Sequence, residues 1–428
     1  MQHLVLAAFV AVTYVVLGAL SAAVAYSPAD AWTVWLSSGV VLGLLLALDR
    51  ARWPAILVGG FVGATAFAVS IGSGLLDAVL YGVIEVVVAT AAAFVVSRLT
   101  PLPIRLQNPR ELTAVILGGA LPLAILGAAL ATFWHVVAGG NNGVNTYRLW
   151  SVSNFVGTLL VAPMLIAWAH VKVRRSGGMP MPAFIGGAVA AALFLGTLWL
   201  LFDRPVEQRF FGTVGPTLTY VPIVFMALVG LLWGVQGASL TAFLGALIAI
   251  LNTAQGEGPF AGVEGLIGEA EVEVEVYALA IALTGLLIAV LAAAQRNAMR
   301  AARDWQTRFE ATIGAHRLLA YEWDPVSGRF NVTGDALRLV GRAPAQLATL
   351  ADWLALVAPD DRDRVAARFD ARARGDADPD VLDYAMSGAG GTEVMASDEA
   401  RAIRDHDGSL HRIVGIVRAG APAEQDSE

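Results

Sequence analysis

The chain has 428 residues, of which 57% are hydrophobic and only 15% are charged, and its mean hydropathy is +0.65. Soluble proteins carry about 25% charged residues, so this composition excludes a wholly soluble chain. The net charge of −7 decides little, because charge in a membrane protein is assessed loop by loop. The lack of cysteine excludes disulfides, thiolate metal sites, a cysteine nucleophile and flavin photochemistry that needs a cysteine adduct.

Charged residues are distributed unevenly along the chain. Apolar runs dominate from Met1 to about Ala294, whereas charged clusters such as 360-DDRDR-364 appear from Arg296 onward. This shift predicts two domains in different solvents. The predicted boundaries are an integral membrane domain over 1–294, a helical linker over 295–312, a cytoplasmic domain over 313–418 and a disordered tail over 419–428.

The membrane half contains ten apolar segments that meet or approach the roughly 20 residues of a spanning helix. They are 3–25, 33–49, 53–71, 75–97, 112–136, 149–170, 183–202, 217–234, 237–253 and 276–294. The eighth and ninth are separated only by 233-WGVQG-237, so a tight hairpin or one re-entrant element is also open. A signal peptide is an alternative for the first segment, but no Lys or Arg precedes it, and we expect an uncleaved helix.

Basic residues predict the orientation, because short cytoplasmic loops are enriched in Lys and Arg. The basic residues that follow even-numbered segments are Arg50, Arg52, Arg98, Arg105, Arg110, Lys172, Arg174, Arg175, Arg296, Arg300 and Arg303. The odd-numbered connections carry Arg148, Arg204 and Arg209 with Asp30, Asp203 and several glutamates. Ten crossings with both termini in the cytoplasm explain this alternation.

Glu85 lies in the middle of the apolar segment 79-VLYGVIEVVVATAAAFVV-96. A charged carboxylate at the centre of a bilayer costs at least about 2.5 kcal/mol on insertion scales. Such a residue either senses protons or a ligand, or it is a protonated or hydrogen-bonded carboxyl that fixes helix packing. The sequence leaves both interpretations open.

Three further polar features have a functional and a structural interpretation. Asn154 could contact a ligand, although asparagine more commonly joins helices in a bundle. His135 is expected near the outer interface rather than as a metal ligand, because no second histidine lies at helical ligand spacing. The loop 256-GEGPFAGVEGLIGEAEVEVEVY-277 carries six glutamates and could attract divalent cations, but a solvated acidic loop is the commoner explanation. No metal site is predicted.

Four segments of the membrane half resemble the bacterial membrane-associated sensor family MASE, first type. They are 35-WLSSGVVLGLLLALDRARWPAILVGGFVGA-64, 150-WSVSNFVGTLLVAP-163, 252-NTAQGEGPFAG-262 and 280-AIALTGLLIAVLAAAQRNAMRAA-302. Glu85 lies where these domains tend to carry a glutamate, whereas Asn154 replaces the family's aspartate.

This resemblance implies an integral sensor of the bacterial inner membrane, joined to signalling domains. The candidate ligand or sensing residues are Glu85, Asn154, Trp35, Ser38, Trp150, Pro259 and Phe260. The family's ligands are mostly unassigned, so the resemblance names no stimulus.

The sequence of the linker, residues 295–312, predicts a helix that continues the tenth apolar segment. Met299, Ala302, Trp305, Phe309 and Ile313 recur at three- to four-residue spacing. Such a helix could pair with its copy in a homodimer, or it could cap the following domain.

The cytoplasmic half predicts strands, helices and then strands. The run 318-LLAYEWDPVSGRFNVT-333 predicts two strands around a turn, and 335–372 predicts helix. Three more strands are predicted near 380–386, 392–404 and 410–418, with 405-DHDGS-409 as a hairpin turn.

This order resembles a PAS domain over about 306–418. The resemblance rests on Trp323-Asp324 before the turn at Gly328, 353-WLALVAPDDRDRV-365, Asp407-Gly408 and 412-RIVGIVR-418. It makes Trp323, Asp324, Trp353 and Asp360 candidate PAS residues, although 390-GGTEVMASDEA-400 departs from the usual pattern. The fold class is thus a polytopic all-α membrane domain followed by an α+β PAS-like domain. No cofactor is implied, and an interaction-type PAS domain is expected, because the helical segment lacks histidine and the chain lacks cysteine.

The sequence therefore predicts a membrane receptor that relays a signal rather than an enzyme. No GxxxxGK[ST] motif and no kinase-like histidine box occurs, and 388-GAGGTEV-394 lacks the acidic pair of a diguanylate cyclase. The expected partners are the lipid bilayer, a second copy of the chain and a histidine kinase, response regulator or cyclase, with no nucleic acid. Two alternatives remain: a transporter or channel with a regulatory domain, or part of a sensor kinase or cyclase.

Overall fold

The computed structural model describes residues 1–24, 34–169, 179–203, 218–261, 269–316, 318–374, 381–406 and 408–419. These residues form two compact units, Met1–Asn297 and Ala298–Glu428. Some residues used in the sequence predictions lie outside the described ranges, namely Asp30, Lys172, Arg174, Arg175, Arg204, Arg209, Glu264, Asp407 and the tail from residue 420.

The first unit is built from helices. Within the described ranges they are α1 Gln2–Ala23, α2 Ser38–Ala47, α3 Trp53–Ser70, α4 Leu75–Leu99, α5 Pro109–Val137, α6 Gly143–Ala169, α7 Met181–Phe202, α8 Val221–Ala254 and α9 Glu269–Ala315. A 3-10 turn at Arg50–Arg52 leads into α3, and the stretch Ala114–Ala120 inside α5 is π-helical. Helix α9 is 47 residues long and continues past Asn297 into the second unit.

Fewer helices in the described part of the chain are long and apolar enough to cross a membrane than the sequence predicts. Eight helices in the described part of the chain are long and apolar enough to cross a membrane, and α2, with 10 residues, is too short. The eighth and ninth predicted segments together form α8, whose helical backbone is interrupted at Gly234 (φ 65°, ψ −159°). The polytopic α-helical architecture is confirmed, and the count of about ten is not.

The part of α8 before Gly234 runs alongside α9. The Tyr277 hydroxyl donates to the Thr219 carbonyl at 2.8 Å, just before α8 begins. Close to Gly234, Arg296 Nη1 donates to the Leu231 carbonyl at 3.4 Å. Because Tyr277 precedes Arg296 in the chain, this part of α8 and α9 run in the same direction.

The part of α8 after Gly234 runs alongside α7. Trp233 Nε1 donates to the Phe184 carbonyl near the start of α7 at 3.1 Å, and Gly245 packs against Phe194 further along. Since the Phe202 and Tyr277 rings lie 5.6 Å apart, α7 ends where α9 begins. The two parts of α8 therefore run in opposite directions, and the positive φ at Gly234 is the conformation that glycine adopts at least cost.

Helices α1 and α3 approach closely because α3 presents glycine toward α1. A Cβ at Gly59 would collide with the Ala7 carbonyl, and one at Gly63 would lie 2.8 Å from the Tyr14 Cβ. This four-residue spacing of small residues is typical of helix contacts within membranes, where packing rather than hydrophobicity drives association.

The second unit contains a five-stranded antiparallel sheet in the order β2-β1-β5-β4-β3. Its strands are β1 Leu318–Trp323, β2 Phe330–Gly334, β3 Leu382–Ser387, β4 Glu393–Arg404 and β5 Leu410–Ala419. Between β2 and β3 lie α10 Ala336–Val340, a 3-10 turn at Pro344–Gln346, α11 Leu350–Leu354 and α12 Pro359–Arg374. The predicted PAS-like α+β fold is confirmed, with the predicted helical stretch divided into short helices at Pro344 and Pro359.

Candidate functional site

A cavity of about 290 Å³ lies among helices of the first unit. Its lining residues recur at three- or four-residue intervals, so each of four helices contributes one face. They are Ala64, Phe67 and Ala68 of α3, Tyr81, Ile84, Glu85 and Val88 of α4, Leu123, Gly127, Ala131 and His135 of α5, Trp150, Ser153 and Asn154 of α6, with Tyr14, Trp35, Ile71 and Ser73. This space is called the aromatic cavity below.

Glu85 supplies a carboxylate to the aromatic cavity. It lies ten residues into α4, which places it about 15 Å along the helix. The Tyr14 hydroxyl donates to Glu85 Oε2 at 3.3 Å, whereas Glu85 Oε1 is buried and has no hydrogen-bond partner among the described residues. The intramembrane acid is therefore shielded by protein on one side and open to the cavity residues on the other.

The non-helical entry to α2 places Trp35 in the wall. The Trp35 backbone N–H donates to the Ser153 carbonyl at 3.2 Å, and the Leu36 N–H donates to Ser21 Oγ at 3.0 Å. Ser37 Oγ donates to the Tyr14 carbonyl at 2.8 Å. A buried segment outside regular structure needs such partners, and here they come from α1 and α6. The Trp35 indole is thereby fixed between these helices.

Aromatic rings form much of the cavity wall. Trp35 stands edge-on to Phe67 at 5.3 Å between ring centroids and to Tyr14 at 6.4 Å. A second aromatic group is formed by Trp150, which lies 6.3 Å from Tyr81 and 5.8 Å from His135. Such edge-on and tilted pairs present ring faces as well as edges, and ring faces attract cations.

Helix α6 brings two unpartnered polar atoms to the wall one turn apart. Trp150 Nε1 and Ser153 Oγ are both buried without a hydrogen-bond partner in the described part of the chain. Asn154 is different, because its Nδ2 donates to the Trp150 carbonyl of its own helix at 2.7 Å. With Glu85 Oε1, three buried polar atoms on cavity-lining residues thus lack partners.

Ser38 stands behind the wall rather than in it. Its Oγ lies 2.7 Å from the Trp35 carbonyl and 3.0 Å from the Asn154 carbonyl, and the Thr158 hydroxyl donates to it at 2.9 Å. Ser38 therefore ties α2 to α6 and holds Trp35 and Asn154 in place.

The interior of the second unit is filled by aromatic side chains. Tyr321 stacks on Phe330 at 5.1 Å, and Trp353, which is fully buried, lies 5.5 Å from Phe330 and donates from Nε1 to the Tyr384 hydroxyl at 3.3 Å. Trp323 stands edge-on to Phe369 at 5.4 Å. Trp323 and Trp353 thus belong to the hydrophobic core.

An ion pair lies inside the same unit. Arg372 Nη1 donates to Asp398 Oδ2 and to the Tyr321 hydroxyl, both at 2.9 Å, and the two charged side chains are 5% and 0% exposed. Burial raises the pKa of Asp398, and the neighbouring Arg372 opposes that rise. The pair connects α12 to β4.

The acidic PAS candidates lie on the surface. Asp324 accepts hydrogen bonds from the Ser327 hydroxyl and from the Ser327 and Val326 N–H groups, which lowers its pKa and fixes the turn after β1. Asp360 is exposed in the first turn of α12. Its neighbour Asp361 accepts from the Ala385 N–H at 2.8 Å and from Arg364, and these bonds lower its pKa.

A family model, MASE1, matches residues 5–297, which include every residue of the aromatic cavity. The chain belongs to the MASE1 family. A second model, PAS fold, matches residues 329–417, which cover β2 to β4 and most of β5. The MASE1 domain is thus an integral membrane sensor domain followed by a PAS domain, and neither of these domains is catalytic.

Two solved structures are similar to the PAS region. One is the N-terminal domain of a diguanylate cyclase with PAS/PAC sensor from Marinobacter aquaeolei, 17% identical, matched over 24% of this chain and 94% of that chain with a TM-score of 0.23. The other is a sensory box histidine kinase/response regulator from Burkholderia thailandensis, 20% identical, over 28% and 88%, also with a TM-score of 0.23. A search of curated proteins finds no match.

The MASE1 domain brings together four of its seven candidate residues. Glu85, Trp35, Trp150 and Asn154 all line the aromatic cavity. Pro259 and Phe260 lie elsewhere: the Phe260 ring packs against Phe202 at 5.7 Å and Tyr277 at 5.4 Å. His135, expected at the outer interface, also lines the cavity.

Sequence reasoning did not single out four other lining residues of the MASE1 domain: Tyr14, Phe67, Tyr81 and Ser153. Two of them had a local signal, since Tyr81 lies one turn before Glu85 and Ser153 one turn after Trp150. Tyr14 and Phe67 had none, because only the packing of α1 on α3 brings them to the site.

The lining residues include one carboxylate, one imidazole and no Lys or Arg among the described residues. The described residues also contain no group of three or more His, Cys, Asp or Glu side chains that could hold a metal ion.

Proposed function

We propose that this MASE1 chain is a receptor of the bacterial inner membrane, with both termini in the cytoplasm and no catalytic output of its own. It binds a small molecule in the aromatic cavity and relays that event through its PAS domain to a cytoplasmic signalling protein such as a histidine kinase, response regulator or cyclase. The observation that carries the proposal is that Glu85, Trp150 and Ser153 all line one cavity, and each has a buried polar atom without a hydrogen-bond partner among the described residues.

Unpartnered buried polar atoms are uncommon in folded proteins, because each costs about 1–3 kcal/mol. A cavity that gathers three of them gains stability from whatever fills it with matching groups. Its volume of about 290 Å³ is near the lower end of the range for small-molecule sites. Both features support a small polar ligand.

Signal transmission requires that the ligand bind two arrangements of the helices with different affinity. The cavity is well placed for this, since Trp35, Glu85 and Trp150 come from segments that are far apart in the chain. Helix α9 is the continuous element that leaves the membrane half, and its shift or rotation is the simplest output.

A homodimer through the α9 extension belongs to the same proposal. Met299 and Trp305 are 52% and 67% exposed, and Trp305 stacks on Phe309 at 5.3 Å between ring centroids. An exposed apolar stripe at helical spacing is suited to pairing with a second copy. Ile313 does not contribute, because it is 3% exposed.

The proposal is tested by a substitution that fills the cavity. A Cβ at Gly127 would meet only Val88, at 3.9 Å, so Gly127→Phe places a ring in the cavity. Gly196→Phe is the matched control, because Gly196 lies on α7, outside the cavity, with nothing within 4 Å of a Cβ. The readout is the set of transcripts whose levels change in the native host when the gene is deleted and return when the wild-type chain is supplied. We expect Gly196→Phe to restore their regulation and Gly127→Phe to leave the output unresponsive. Normal regulation in both variants would remove the cavity from the signalling route.

A further inference from the structure

We infer that the aromatic cavity takes a small primary or secondary ammonium compound that has an aromatic body and a hydrogen-bond acceptor at its other end. This inference rests on the proposed function and specifies the chemical class of the ligand.

The charge of the wall favours a cation. Glu85 is the one carboxylate among the described lining residues, and His135 is the one lining group that could carry a positive charge. A second carboxylate lies nearby, since Asp77 is one turn before Tyr81 on α4 and accepts a hydrogen bond from Trp134 Nε1 at 2.9 Å. Asp77 and Glu85, eight residues apart on α4, therefore place two acidic groups on the same face of that helix.

The open oxygen of Glu85 favours a cation that carries N–H groups. Tyr14 already occupies Oε2, and Oε1 has no donor among the described residues. A quaternary ammonium group would neutralise the charge but leave Oε1 without a hydrogen bond. A primary or secondary ammonium group supplies both charge and donor, and such charge-assisted bonds are the stronger kind.

The rings favour an aromatic or similarly flat body. Two aromatic pairs, Trp35 with Phe67 and Trp150 with Tyr81, line the same space. Aromatic pairs gain about 0.5–1.5 kcal/mol beyond the area that they bury, and ring faces attract an ammonium group.

The unpartnered polar atoms of α6 favour a ligand that carries a hydrogen-bond acceptor. Trp150 Nε1–H is a donor only, and Ser153 Oγ lies one helical turn further on. A hydroxyl, carbonyl or ether oxygen on the ligand would satisfy one or both. Proton sensing by Glu85 alone would leave these α6 atoms unpartnered, and an anionic ligand would face the Glu85 charge.

The experiment uses the purified full-length chain in lipid nanodiscs and four matched probes, with binding followed by titration calorimetry. Tyramine carries the ammonium group, the ring and the acceptor. The other three probes each change one feature: 2-phenylethylamine lacks the acceptor, tyrosol replaces the ammonium by a neutral hydroxyl, and 4-hydroxyphenylacetate replaces it by an anion. We expect tyramine to bind most tightly, 2-phenylethylamine and tyrosol more weakly, and the anion not at all.

Two conservative substitutions test whether the probes bind in the aromatic cavity. Glu85→Gln should weaken tyramine by about 10- to 100-fold and leave tyrosol nearly unchanged, because only the charge-assisted bond is lost. Trp150→Phe should weaken tyramine by about tenfold and reduce its advantage over 2-phenylethylamine. Gly196→Phe, outside the cavity, should bind all probes as the wild type does.

Three results would overturn the inference: tyrosol or the anion binding as tightly as tyramine, an unchanged tyramine affinity in Glu85→Gln, or binding by none of the four. The probe comparison needs only the wild-type chain, so it holds even if a variant does not fold. The transcript response of the Gly127→Phe variant tests the proposed function separately. A wrong ligand class would not change the outcome of that test.

Discussion

Tyr14 and Glu85 are 71 positions apart in the chain, and the Tyr14 hydroxyl donates to Glu85 Oε2 at 3.3 Å. This bond joins α1 to α4 and gives the intramembrane acid its one described hydrogen-bond partner. Tyr14 is 2% exposed and also stands edge-on to Trp35, so one side chain links the acid to the aromatic wall.

Removing the Tyr14 hydroxyl should destabilise the membrane half modestly. Tyr14→Phe keeps the ring and leaves both Glu85 oxygens without a donor, so we expect a loss of about 1–3 kcal/mol in unfolding free energy. The measurement is unfolding in mixed micelles. Tyr147→Phe is the control, because Tyr147 is 36% exposed and should lose less than about 0.5 kcal/mol. Equal losses would show that the Tyr14–Glu85 bond does not matter.

Enlarging Gly59 should separate α1 from α3. Gly59→Val introduces a Cβ that collides with the Ala7 carbonyl, and overpacking of this kind costs about 1–3 kcal/mol. Gly196→Val is the control, because a Cβ at Gly196 would have nothing within 4 Å. Fluorescence-detected size exclusion of both variants should show less folded protein for Gly59→Val only. A wild-type profile for Gly59→Val would mean that α1 does not pack on α3 as described.

A charged residue among the exposed apolar side chains of α9, such as Met299 and Trp305, should weaken pairing with a second copy. We expect Trp305→Arg to reduce homodimer formation, because it places a cation where two apolar stripes would meet. The chain has no cysteine, so a single cysteine introduced in the linker reports pairing by crosslinking in native membranes. Val326→Arg is the control, since Val326 is 90% exposed in a turn of the PAS domain. Undiminished crosslinking in Trp305→Arg would contradict the dimer.

Breaking the buried ion pair should destabilise the PAS domain most at neutral pH. Arg372→Met leaves Asp398 buried and uncompensated, at a cost of about 3–5 kcal/mol. Without Arg372, the already raised pKa of Asp398 rises further, so the folded state binds a proton more readily than the unfolded state. The loss should therefore be complete above that raised pKa and become smaller as the pH falls through it.

Hydrogen exchange of β3 to β5 in the full-length chain, followed from neutral to mildly acidic pH, measures this effect. Arg401→Met is the matched control, because Arg401 is 81% exposed and 4.0 Å from Glu399, where an ion pair contributes little. A loss that does not depend on pH would show that the charge of Asp398 is not its cause.

The sequence was sufficient to predict the overall architecture, a helical membrane domain followed by a PAS domain. Apolar length located the helices, and alternating strand patterns with the Trp323-Asp324 turn located the PAS sheet, because both signals are local. The predicted count of ten crossings was not confirmed, because the reversal at Gly234 depends on which neighbours each part of α8 packs against.

The site was predicted only in part, because its individual residues have local signals in the sequence but their convergence depends on packing. Glu85 and Asn154 stood out as polar residues in apolar runs, Trp150 was a candidate through the family resemblance, and all three line the cavity. That they share a cavity with Tyr14 and Phe67 depends on tertiary packing, which no local pattern reports. Pro259 and Phe260 stood out equally well, yet the Phe260 ring joins an aromatic cluster with Phe202 and Tyr277.

The unbroken course of α9 has a geometric consequence for any insertion in it. A helix of 47 residues is about 70 Å long, more than twice the thickness of the hydrocarbon layer. Each added residue turns everything that follows by about 100° and advances it by about 1.5 Å. One or two extra residues after Asn297 would thus turn Met299 and Trp305 away from their present face of α9, whereas seven would restore nearly the same face, so pairing through these residues should vary periodically with insert length.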